Sequence, residues 1–369
     1  MTNIALTVKL PLLMITNKFQ IYTEGDDLYQ DMLACISRAK KSILLESYIF
    51  EPDETGKSFI DALLERASAG VEVRIHLDAF GSLNLSMSKE LDRIKKSNIN
   101  LKWYNPWCWY RPLKFNRRNH RKLLVVDESI AWLGGFNIHD ENSLSEFGKE
   151  RWLDTHARID GPLAAYTQKL FEQLWDKSPI PYREIGHELE SIIVSNVSWR
   201  QRRQFRQILI NQIKTATKQI WLCTPYYMPD RFLQIQIINA ARRGVDVRLL
   251  LPYKTDRPVA RWVARAAYYS LINSGVRIFE YSPRFLHSKI MLIDKQWTTI
   301  GSTNIDYRSF FINLEINLMS SDISLIESLS NIYINNLSVS EEISADSLVQ
   351  NKLISAIYIW LGKIFRKIL

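Results

Sequence analysis

Apolar and polar positions follow the same order of patterns in both halves of the chain. The segments "AGVEVRIHLD" (69–78) and "RGVDVRLLLP" (243–252) each place a glycine before an alternating, β-branched run, which predicts a helix end followed by a strand. In "GKSFIDALLERASAG" (56–70) the apolar residues have helical spacing. Each half is predicted as strand, helix, strand, helix, strand and then a hairpin. Strands alternating with helices indicate the α/β class, with a mixed β-sheet flanked by helices in each half.

The correspondence between the halves is an internal repeat that continues in register. "AKKSILLES" (39–47) matches "ATKQIWLCT" (216–224), and "NINLKWYNP" (98–106) matches "GVRIFEYSP" (275–283). Two similar lobes facing each other are therefore expected, divided by a polar, proline-containing segment that follows a helical pattern. The predicted organisation is an N-terminal apolar segment (1–18), a first lobe (19–180), a second lobe (181–338), and a linker with a C-terminal amphipathic helix (339–369).

Composition supports a folded protein with an anionic partner. The chain has 369 residues, 46% of them hydrophobic, and 48 Lys and Arg against 39 Asp and Glu give a net charge of +9. This charge favours lipid headgroups or nucleic acid without choosing between them. Cys35, Cys108 and Cys223 are odd in number and widely spaced, which argues against a disulfide framework or thiolate metal site and fits a reducing compartment.

The apolar segments at the two ends predict different things. "IALTVKLPLLMI" near the N-terminus is short and broken by Lys9 and Pro11, so we interpret it as neither a signal peptide nor a membrane span. "KLISAIYIWLGKIFRKIL" (352–369) places apolar residues at helical spacing with Lys363 and Arg366 on another side. It is predicted to be an in-plane amphipathic anchor after a polar linker (338–347), the alternative being a terminal helix docked on the second lobe.

The strongest chemical signal is a short motif that occurs once in each half. "HRKLLVVD" (120–127) and "HSKIMLID" (287–294) both have His, Lys two residues later and Asp five residues further on. Residues two apart in a strand share a face, so each His is expected beside its Lys. A lysine neutralises phosphate oxygens, and an imidazole can attack phosphorus or move a proton near neutral pH. Two facing copies would supply both the nucleophile and the general acid of phosphodiester cleavage.

Other residues of the repeat receive supporting roles. Asp127 and Asp294 complete the candidate catalytic motifs, but they lie at strand ends with the opposite parity, so we expect them to hold the hairpin or a lobe contact. "WLGGFN" (132–137) and "TIGSTN" (299–304) close each copy. Their glycines would permit close approach of the backbone to a phosphate. The polar side chains expected to donate hydrogen bonds to it are Asn137, Ser302 and Asn304.

A lone His beside a Lys is usually a surface or satisfied polar pair, and only the repetition of the whole spacing reverses that interpretation. The remaining histidines have no counterpart in the other half and are predicted to be structural: His76, His139, His156 and His187.

The two repeated motifs resemble those of the phospholipase D superfamily, whose sequence pattern is H-x-K-x-x-x-x-D followed by G-G/S-x-N. Both copies match, and the resemblance extends from about residue 19 to the middle 330s. "WLDTHARIDGP" (152–162), "TPYYMPD" (224–230) and "GSTNIDYRSFFINLEIN" (301–317) are similar to bacterial cardiolipin synthases, most of all to the shorter B type. The resemblance implies an active site at the lobe interface, no metal or other cofactor, and a peripheral enzyme on the cytoplasmic side of the bacterial membrane.

The resemblance also implies a reaction and its residues. Phosphatidyl is transferred from phosphatidylglycerol to a second phospholipid alcohol through a covalent phosphohistidine, with release of glycerol. His120 is assigned as nucleophile and His287 as acid and then base, and the reverse stays open. Matching positions give Asp154 and Glu315 as the carboxylates that orient the imidazoles. Gly135 stands where the second copy has Ser302, so the two halves are not equivalent.

The halves differ most between Pro106 and His120, where "WCWYRPLKFNRRN" (107–119) is aromatic and basic. Its Trp107, Trp109 and Tyr110 fit a bilayer interface, and its basic residues fit headgroup phosphates: Arg111, Lys114, Arg117 and Arg118. Stacking on single-stranded nucleic acid, or a loop packed over the core, are the alternatives.

Three other functions compete with lipid transfer. Water in place of the second alcohol would make the chain a phospholipase D that releases phosphatidic acid. A nucleic-acid phosphodiesterase also fits the basic charge, but the segments that resemble lipid enzymes argue against it. The expected partners are therefore phosphatidylglycerol, other anionic phospholipids and the membrane surface, and no nucleic acid is expected. A membrane-binding module with an inactive site is disfavoured because no catalytic position is missing. Oligomeric state is not predicted.

Overall fold

Two mixed β-sheets with the same strand order form the centre of the protein. The computed structural model describes residues 17–109, 115–178 and 190–346. The first sheet has the order β1-β7-β6-β5-β2-β3-β4, and the second β17-β12-β11-β9-β13-β14-β16-β8. The first consists of β1 (Lys18–Tyr22), β2 (Ser42–Ser47), β3 (Glu72–Asp78), β4 (Asn100–Tyr104), β5 (Leu123–Val126), β6 (Ile130–Gly134) and β7 (His156–Asp160).

The second sheet repeats this order from the opposite end. It consists of β8 (Ser191–Ser195), β9 (Gln219–Cys223), β11 (Asp246–Pro252), β12 (Arg277–Tyr281), β13 (Ile290–Ile293), β14 (Trp297–Gly301), β16 (Ile316–Ser320) and β17 (Ser340–Glu342), and β10 (Tyr227–Met228) pairs separately with β15 (Ile305–Asp306). In both sheets three strands run parallel, β2 to β4 and β9 with β11 and β12, and an antiparallel set follows. The predicted fold class and internal repeat are confirmed.

Helices cover the outer faces of both sheets and also fill the space between them. They are α1 (Gly25–Arg38), α2 (Glu54–Ser68), α3 (Leu83–Ser86), α4 (Lys89–Lys95), α5 (Leu144–Phe147), α6 (Pro162–Asp176), α7 (Trp199–Thr215), α8 (Arg231–Arg242), α9 (Pro258–Ile272), α10 (Tyr307–Phe311) and α11 (Ile323–Ser338). Short 3₁₀ turns occupy Asp140–Asn142 and Gly148–Glu150. In the described part of the chain, no helix has the length and apolar character needed to cross a membrane.

Three large apolar cores explain the packing of the described residues. The first lobe has an outer core under α1, α2 and α4, and the second has one under α7, α8 and α9. The third lies between the sheets and combines residues such as Val125 and Leu133 with Leu292 and Ile316. All residues of β2 and β9 are buried, as expected for strands covered on both faces. The lobes thus share a core, which fixes their relative position.

The predicted linker begins within the second sheet. The polar segment predicted as a linker (338–347) contributes β17, which pairs antiparallel with β12, so its first residues belong to the second sheet. Pairing at the edge of a sheet satisfies the hydrogen bonds of backbone N–H and C=O groups, and a polar composition does not show that a segment pairs in this way. The boundary between residues 180 and 181 and the predicted C-terminal helix (352–369) lie outside the described residues, as does the N-terminal apolar segment up to residue 16.

Candidate active site

The two repeated motifs lie where each lobe exchanges backbone hydrogen bonds with the other. His120 and His287 sit in extended segments that enter β5 and β13, rather than inside those strands as expected. The amide of His120 donates to the carbonyl of Leu314 (2.9 Å), and the amide of His287 donates to the carbonyl of Leu153 (2.7 Å). Because these bonds replace sheet pairing within the lobe, the motif of each lobe is positioned by the other.

A carboxylate follows each of those acceptors and contacts the imidazole. Glu315 Oε2 lies 3.0 Å from His120 Nδ1, and Asp154 Oδ2 lies 2.5 Å from His287 Nδ1. Each imidazole is therefore held by a carboxyl group from the opposite lobe. Both residues were predicted as the acids that orient the imidazoles, but their crossing between lobes was not predicted, since that exchange depends on tertiary contacts alone.

The surroundings of His120 determine its tautomer. Its Nδ1 lies 3.2 Å from the carbonyl oxygen of Ser302 as well as 3.0 Å from Glu315 Oε2. A carbonyl oxygen can only accept, so Nδ1 carries the hydrogen and Nε2 keeps the lone pair. Burial, together with the positive charges of Lys122 and Lys289, holds the pKa of His120 well below its usual value near 6.5. The ring is thus a neutral imidazole whose Nε2 carries an unprotonated lone pair.

His287 has a different environment because a lysine shares its carboxylate. Lys289 Nζ lies 2.7 Å from His287 Nδ1 and 3.2 Å from Asp154 Oδ2, and it donates to the carbonyl of His287. Burial and the charge of Lys289 lower the pKa of His287 to about 4. Although burial opposes it, the contacts with Lys289 and His287 keep the pKa of Asp154 below its usual value, so Asp154 is ionised.

Glu315 differs from Asp154 in charge. Burial raises the pKa of Glu315 to about 8, despite the opposing charge of Lys122. The hydroxyl of Ser302 donates to Glu315 Oε2 over 2.5 Å. At neutral pH the second carboxyl therefore holds its proton, whereas Asp154 is an anion. The two half-sites therefore differ in the charge of the carboxyl group beside the imidazole.

The two imidazoles line one cavity between the lobes. Its volume is about 300 Å³. Its apolar lining includes Phe80, Phe115, Trp152, Met228 and Ala260, and its polar lining includes Tyr48, Arg118, Asn137, Tyr226, Asp256, Arg257, Asn304, Asp306 and Arg308. A space of this size between two histidines suits a phosphodiester with part of its headgroup.

The sequence is similar to known proteins along most of its length. A family described as "Cardiolipin synthase, PLD-like domain" matches residues 32–175 and 209–336. The chain belongs to this family. A cardiolipin synthase of Clostridium perfringens strain SM101 is 32% identical over 92% of this chain and 75% of its own length. One of Staphylococcus aureus strain Mu50 is 32% identical, covering 89% of this chain and 69% of its own. These relatives are named without a subtype, so the B type stays a prediction.

The family fold is also visible in a distant solved structure. A phosphatidylserine synthase of Haemophilus influenzae superposes with a TM-score of 0.73 over 95% of both chains at 12% identity. At that identity the likeness concerns the fold alone. It extends across both lobes, so the two-lobed fold predicted from the sequence is confirmed.

The lysines of the two motifs lie in the wall behind the imidazoles. Both are buried, and Lys122 Nζ donates to the carbonyl of His120 (2.8 Å) and lies 5.2 Å from the centre of the Tyr48 ring. Burial lowers the pKa of Lys122 and of Lys289. Neither lines the cavity itself, so direct contact between these lysines and a phosphate stays a prediction.

The glycines of "WLGGFN" and "TIGSTN" lie where the protein leaves no room for a side chain. A Cβ on Gly134 would lie 2.5 Å from the carbonyl oxygen of Thr155, and one on Gly301 would lie 2.3 Å from that of Ile316. A Cβ on Gly135 would lie 2.0 Å from Asp154 Oδ1. Neighbouring strands and a carboxylate therefore explain why these three positions need glycine, and close approach of a phosphate to their backbone stays a prediction.

The polar residues after these glycines divide between cavity and wall. Asn137 and Asn304 line the cavity, and Asn304 Oδ1 is buried without a hydrogen-bond partner in the described structure. Ser302 was expected to donate to phosphate, but its hydroxyl is buried and bonded to Glu315. It therefore supports the carboxyl group and does not face the cavity.

The motif aspartates lie at the hairpin turns. Asp127 and Asp294 both have positive φ angles, 51° and 54°, at the start of the three-residue connections that join β5 to β6 and β13 to β14. The carboxylate of Asp127 accepts from the amides of residues 40, 41 and 42, and that of Asp294 from residues 217, 218 and 219. Each joins its hairpin to the start of a central strand and lies outside the cavity lining, as expected from its parity.

The remaining histidines have buried surroundings. His76, His139 and His156 are buried, and burial lowers the pKa of each to about 3. Neutral rings packed against aromatic neighbours, such as His139 against Trp152, fit the structural role expected for them. His187 lies outside the described residues.

The aromatic and basic segment is only partly described. Trp107 and Trp109 are 63% and 82% exposed, whereas Arg118 is buried in an ion pair with Asp78. Arg117 donates to the carbonyl of Val197 (2.5 Å). Tyr110, Arg111 and Lys114 lie outside the described residues.

Several cavity residues were not predicted as site residues. Tyr226 and Arg308 stood inside the quoted motifs "TPYYMPD" and "GSTNIDYRSFFINLEIN", so position within a motif was the only signal. Arg257 had none. Among the residues that the structure describes, no three His, Cys, Asp or Glu side chains are grouped as a metal ion requires, and a reaction without metal stays a prediction.

Proposed function

We propose that this chain is a phosphatidyltransferase that makes cardiolipin, transferring phosphatidyl from one phosphatidylglycerol to the alcohol of another phospholipid. The observation that carries the proposal is the cavity lined by two imidazoles, each bonded through Nδ1 to a carboxyl group of the opposite lobe. Membership of the cardiolipin synthase family and the basic charge both favour phospholipid substrates. Phosphatidylglycerol and other anionic phospholipids are the partners we expect.

In the first step, His120 Nε2 attacks the phosphorus of phosphatidylglycerol. A P–N bond forms while the bond from phosphorus to the glycerol oxygen breaks, and His287 donates a proton to that oxygen. Glycerol leaves, and phosphatidyl remains on His120. The cavity holds both imidazoles in one space, so the attacking and protonating groups are available to the same phosphate.

In the second step, a phospholipid hydroxyl gives its proton to His287 and attacks the phosphorus. The new O–P bond replaces the P–N bond, and His120 returns to its neutral form. With phosphatidylglycerol as the alcohol, the product is cardiolipin. Water in the same position would instead release phosphatidic acid.

The difference between the half-sites supports these roles. Nδ1 of His120 donates to two acceptors, which leaves a lone pair on Nε2 for attack. His287 adjoins the ionised Asp154, and an anion beside an imidazole stabilises its protonated form. Burial lowers the pKa of both rings, and the negative charge of an arriving phosphodiester acts in the opposite direction. The acid therefore gains its proton when substrate is bound.

The cavity mouth is proposed to face the bilayer. Trp107, Phe115 and Phe80 form a chain of edge-to-face contacts, with ring centres 5.2 and 5.7 Å apart, that leads from an exposed indole to the cavity lining. Indoles favour the headgroup region. We propose peripheral attachment at the cytoplasmic face of a bacterial membrane through this surface.

The test of the function is product analysis of purified protein with phosphatidylglycerol in detergent micelles. Mass spectrometry should detect cardiolipin and glycerol in equal amounts, at a rate that a chelator does not change. Phosphatidic acid as the only lipid product would replace the transferase with a phospholipase D. A requirement for added metal would contradict the covalent histidine mechanism.

A further inference from the structure

The cavity wall carries more positive charge than one scissile phosphate requires. Lys122 and Lys289 lie directly behind the two imidazoles. Three arginines line the cavity in addition: Arg118, Arg257 and Arg308. Arg118 is paired with the buried carboxylate of Asp78 at 3.3 Å, so its charge is compensated. The other two have a different environment.

Arg257 has weak internal contacts. Its Nε lies 3.7 Å from Asp256 Oδ2, at the limit of an ion pair, and its side chain is 51% exposed. Both oxygens of Asp256 accept from the hydroxyl of Tyr226, at 2.6 and 2.8 Å. The guanidinium also lies 5.5 Å from the centre of the Tyr226 ring. Its fork of donors is thus available at the cavity surface.

Arg308 lies on the same cavity and bonds only to neutral groups. Its guanidinium donates to the side-chain oxygen of Asn116 (2.9 Å) and to the carbonyl of Asn116 (2.7 Å). Among the described residues, no carboxylate oxygen lies within 4 Å of the Arg308 guanidinium. Asp306, two residues earlier in the chain, caps α10 by accepting a hydrogen bond from the amide of Ser309. A cation fixed in this way attracts an anion at the cavity.

We propose that Arg257 and Arg308 form a second phosphate subsite, which binds the phosphate of the acceptor phospholipid. The inference rests on the proposed function and deepens it, because transfer between two phospholipids brings two phosphates to one cavity. The scissile phosphate lies between His120 and His287. The acceptor's own phosphate then requires a separate cationic site, and these two arginines supply it.

This subsite distinguishes a lipid alcohol from water. When the acceptor oxygen attacks the phosphohistidine, its proton passes to His287 and the P–N bond breaks, in the same way for water as for the lipid. Water has no phosphate for Arg257 to bind. The contact therefore raises the local concentration of the lipid hydroxyl and favours transfer over hydrolysis.

The experiment compares acceptors with and without phosphate in Arg257→Ala. Protein in detergent micelles with phosphatidylglycerol is assayed for cardiolipin, phosphatidic acid and glycerol, and again with ethanol added, when phosphatidylethanol is also measured. Loss of a charge-assisted contact should lower the ratio of cardiolipin to phosphatidic acid about tenfold to a hundredfold. Formation of phosphatidylethanol should stay within about twofold of wild type, since ethanol makes no contact with the subsite.

Three variants serve as controls. Arg257→Lys retains a point charge and should recover part of the ratio. Arg242→Ala removes an exposed arginine at the end of α8, outside the cavity lining, and should leave both products unchanged. Arg308→Ala should lower the product ratio as Arg257→Ala does. It also removes the hydrogen bonds to Asn116, so its product ratio is compared with wild type at a temperature at which thermal unfolding shows both proteins to be folded.

Two results would overturn the subsite. In one, Arg257→Ala leaves the product ratio at the wild-type value; in the other, phosphatidylethanol falls in parallel with cardiolipin, which would place the arginine on the donor. A wild-type protein that makes no cardiolipin at all would instead contradict the proposed function, and that outcome is visible without any variant.

Discussion

A side chain added at Gly135 should separate Asp154 from His287 without altering either residue. The Cβ of Gly135→Ser would lie 2.0 Å from Asp154 Oδ1 and 2.4 Å from both Cγ and Oδ2. Ordinary contact needs 3.4 Å or more, so the carboxylate must move by about 1.4 Å. It has little freedom, because Oδ1 accepts from the amide of Thr155 (2.7 Å) and Oδ2 contacts His287 (2.5 Å).

The size of the effect follows from this displacement. Misplacing a catalytic group by about 1 Å costs about 10²-fold in rate, and replacing the orienting carboxylate of a Ser-His-Asp triad costs about 10⁴-fold. Gly135→Ser should therefore lower the rate of glycerol release between these limits. The double variant Gly135→Ser with Asp154→Glu copies the Ser302 and Glu315 pair of the other lobe. It should recover part of the lost rate, since the longer side chain leaves room for the hydroxyl.

The assay measures glycerol release from phosphatidylglycerol at a temperature well below thermal unfolding, with unfolding followed by circular dichroism. Gly25→Ala is the matched control: its Cβ would lie 2.3 Å from the carbonyl oxygen of Asn142, a similar clash in the same lobe away from the cavity lining. It should lower the unfolding temperature but not the rate. A folded Gly135→Ser protein with the wild-type rate would refute the reasoning, as would equal losses in both glycine variants.

The remaining predictions concern the histidines, Glu315 and the motif aspartates. His120→Ala and His287→Ala should each lower glycerol release at least about 10³-fold. A nitrophenyl phosphodiester distinguishes the two variants, because its leaving group needs no proton: only the variant that lacks His287 should release nitrophenol and accumulate phosphohistidine. If the variant that lacks His120 did so instead, the two roles would be exchanged. The pKa of Glu315, raised to about 8 from an ordinary value near 4.5, means that the folded protein keeps a proton that the unfolded chain loses. Its contribution to the free energy of unfolding is therefore fully present below about pH 4.5 and is lost as pH rises through about 8. Glu315→Gln should flatten that decline in urea unfolding between these pH values, and curves of equal slope would contradict it. Asp127→Ala and Asp294→Ala should each lower the free energy of unfolding by about 2 kcal/mol while the folded protein keeps its kcat, and a large loss of kcat would assign these carboxylates to the reaction.

Much of the fold could be predicted because its determinants are local or repeated. Alternation in "AGVEVRIHLD" and its counterpart gives β3 and β11, and the matching order of segments gives two equivalent sheets. Facing lobes were expected, but the strand faces that form their shared core could not be predicted. Residues of β5 and β13 are apolar on both faces, and nothing in such a run says which face meets the other lobe.

The candidate site shows the same division. His120, His287, Asp154 and Glu315 could be named from repetition and resemblance, because identity at matching positions is a sequence property. The exchange of carboxylates between lobes, and the steric reason for Gly135, depend on distances between residues far apart in the chain. Arg257 follows no pattern in the sequence, since a single arginine before a proline predicts only the start of a helix.

The reciprocal contacts explain why each half-site needs both lobes. A symmetric dimer pairs residue i of one copy with residue j of the other and the reverse, and His120 with Glu315 and His287 with Asp154 repeat that relation inside one chain. A single lobe would hold an imidazole without its carboxyl partner and half of the shared core. Fusing two copies removes the need for symmetry, which allows one carboxyl group to be charged and the other neutral. The lobes differ here, with Gly135 and Asp154 in one and Ser302 and Glu315 in the other, and this difference fits the unequal roles that we propose for the two histidines.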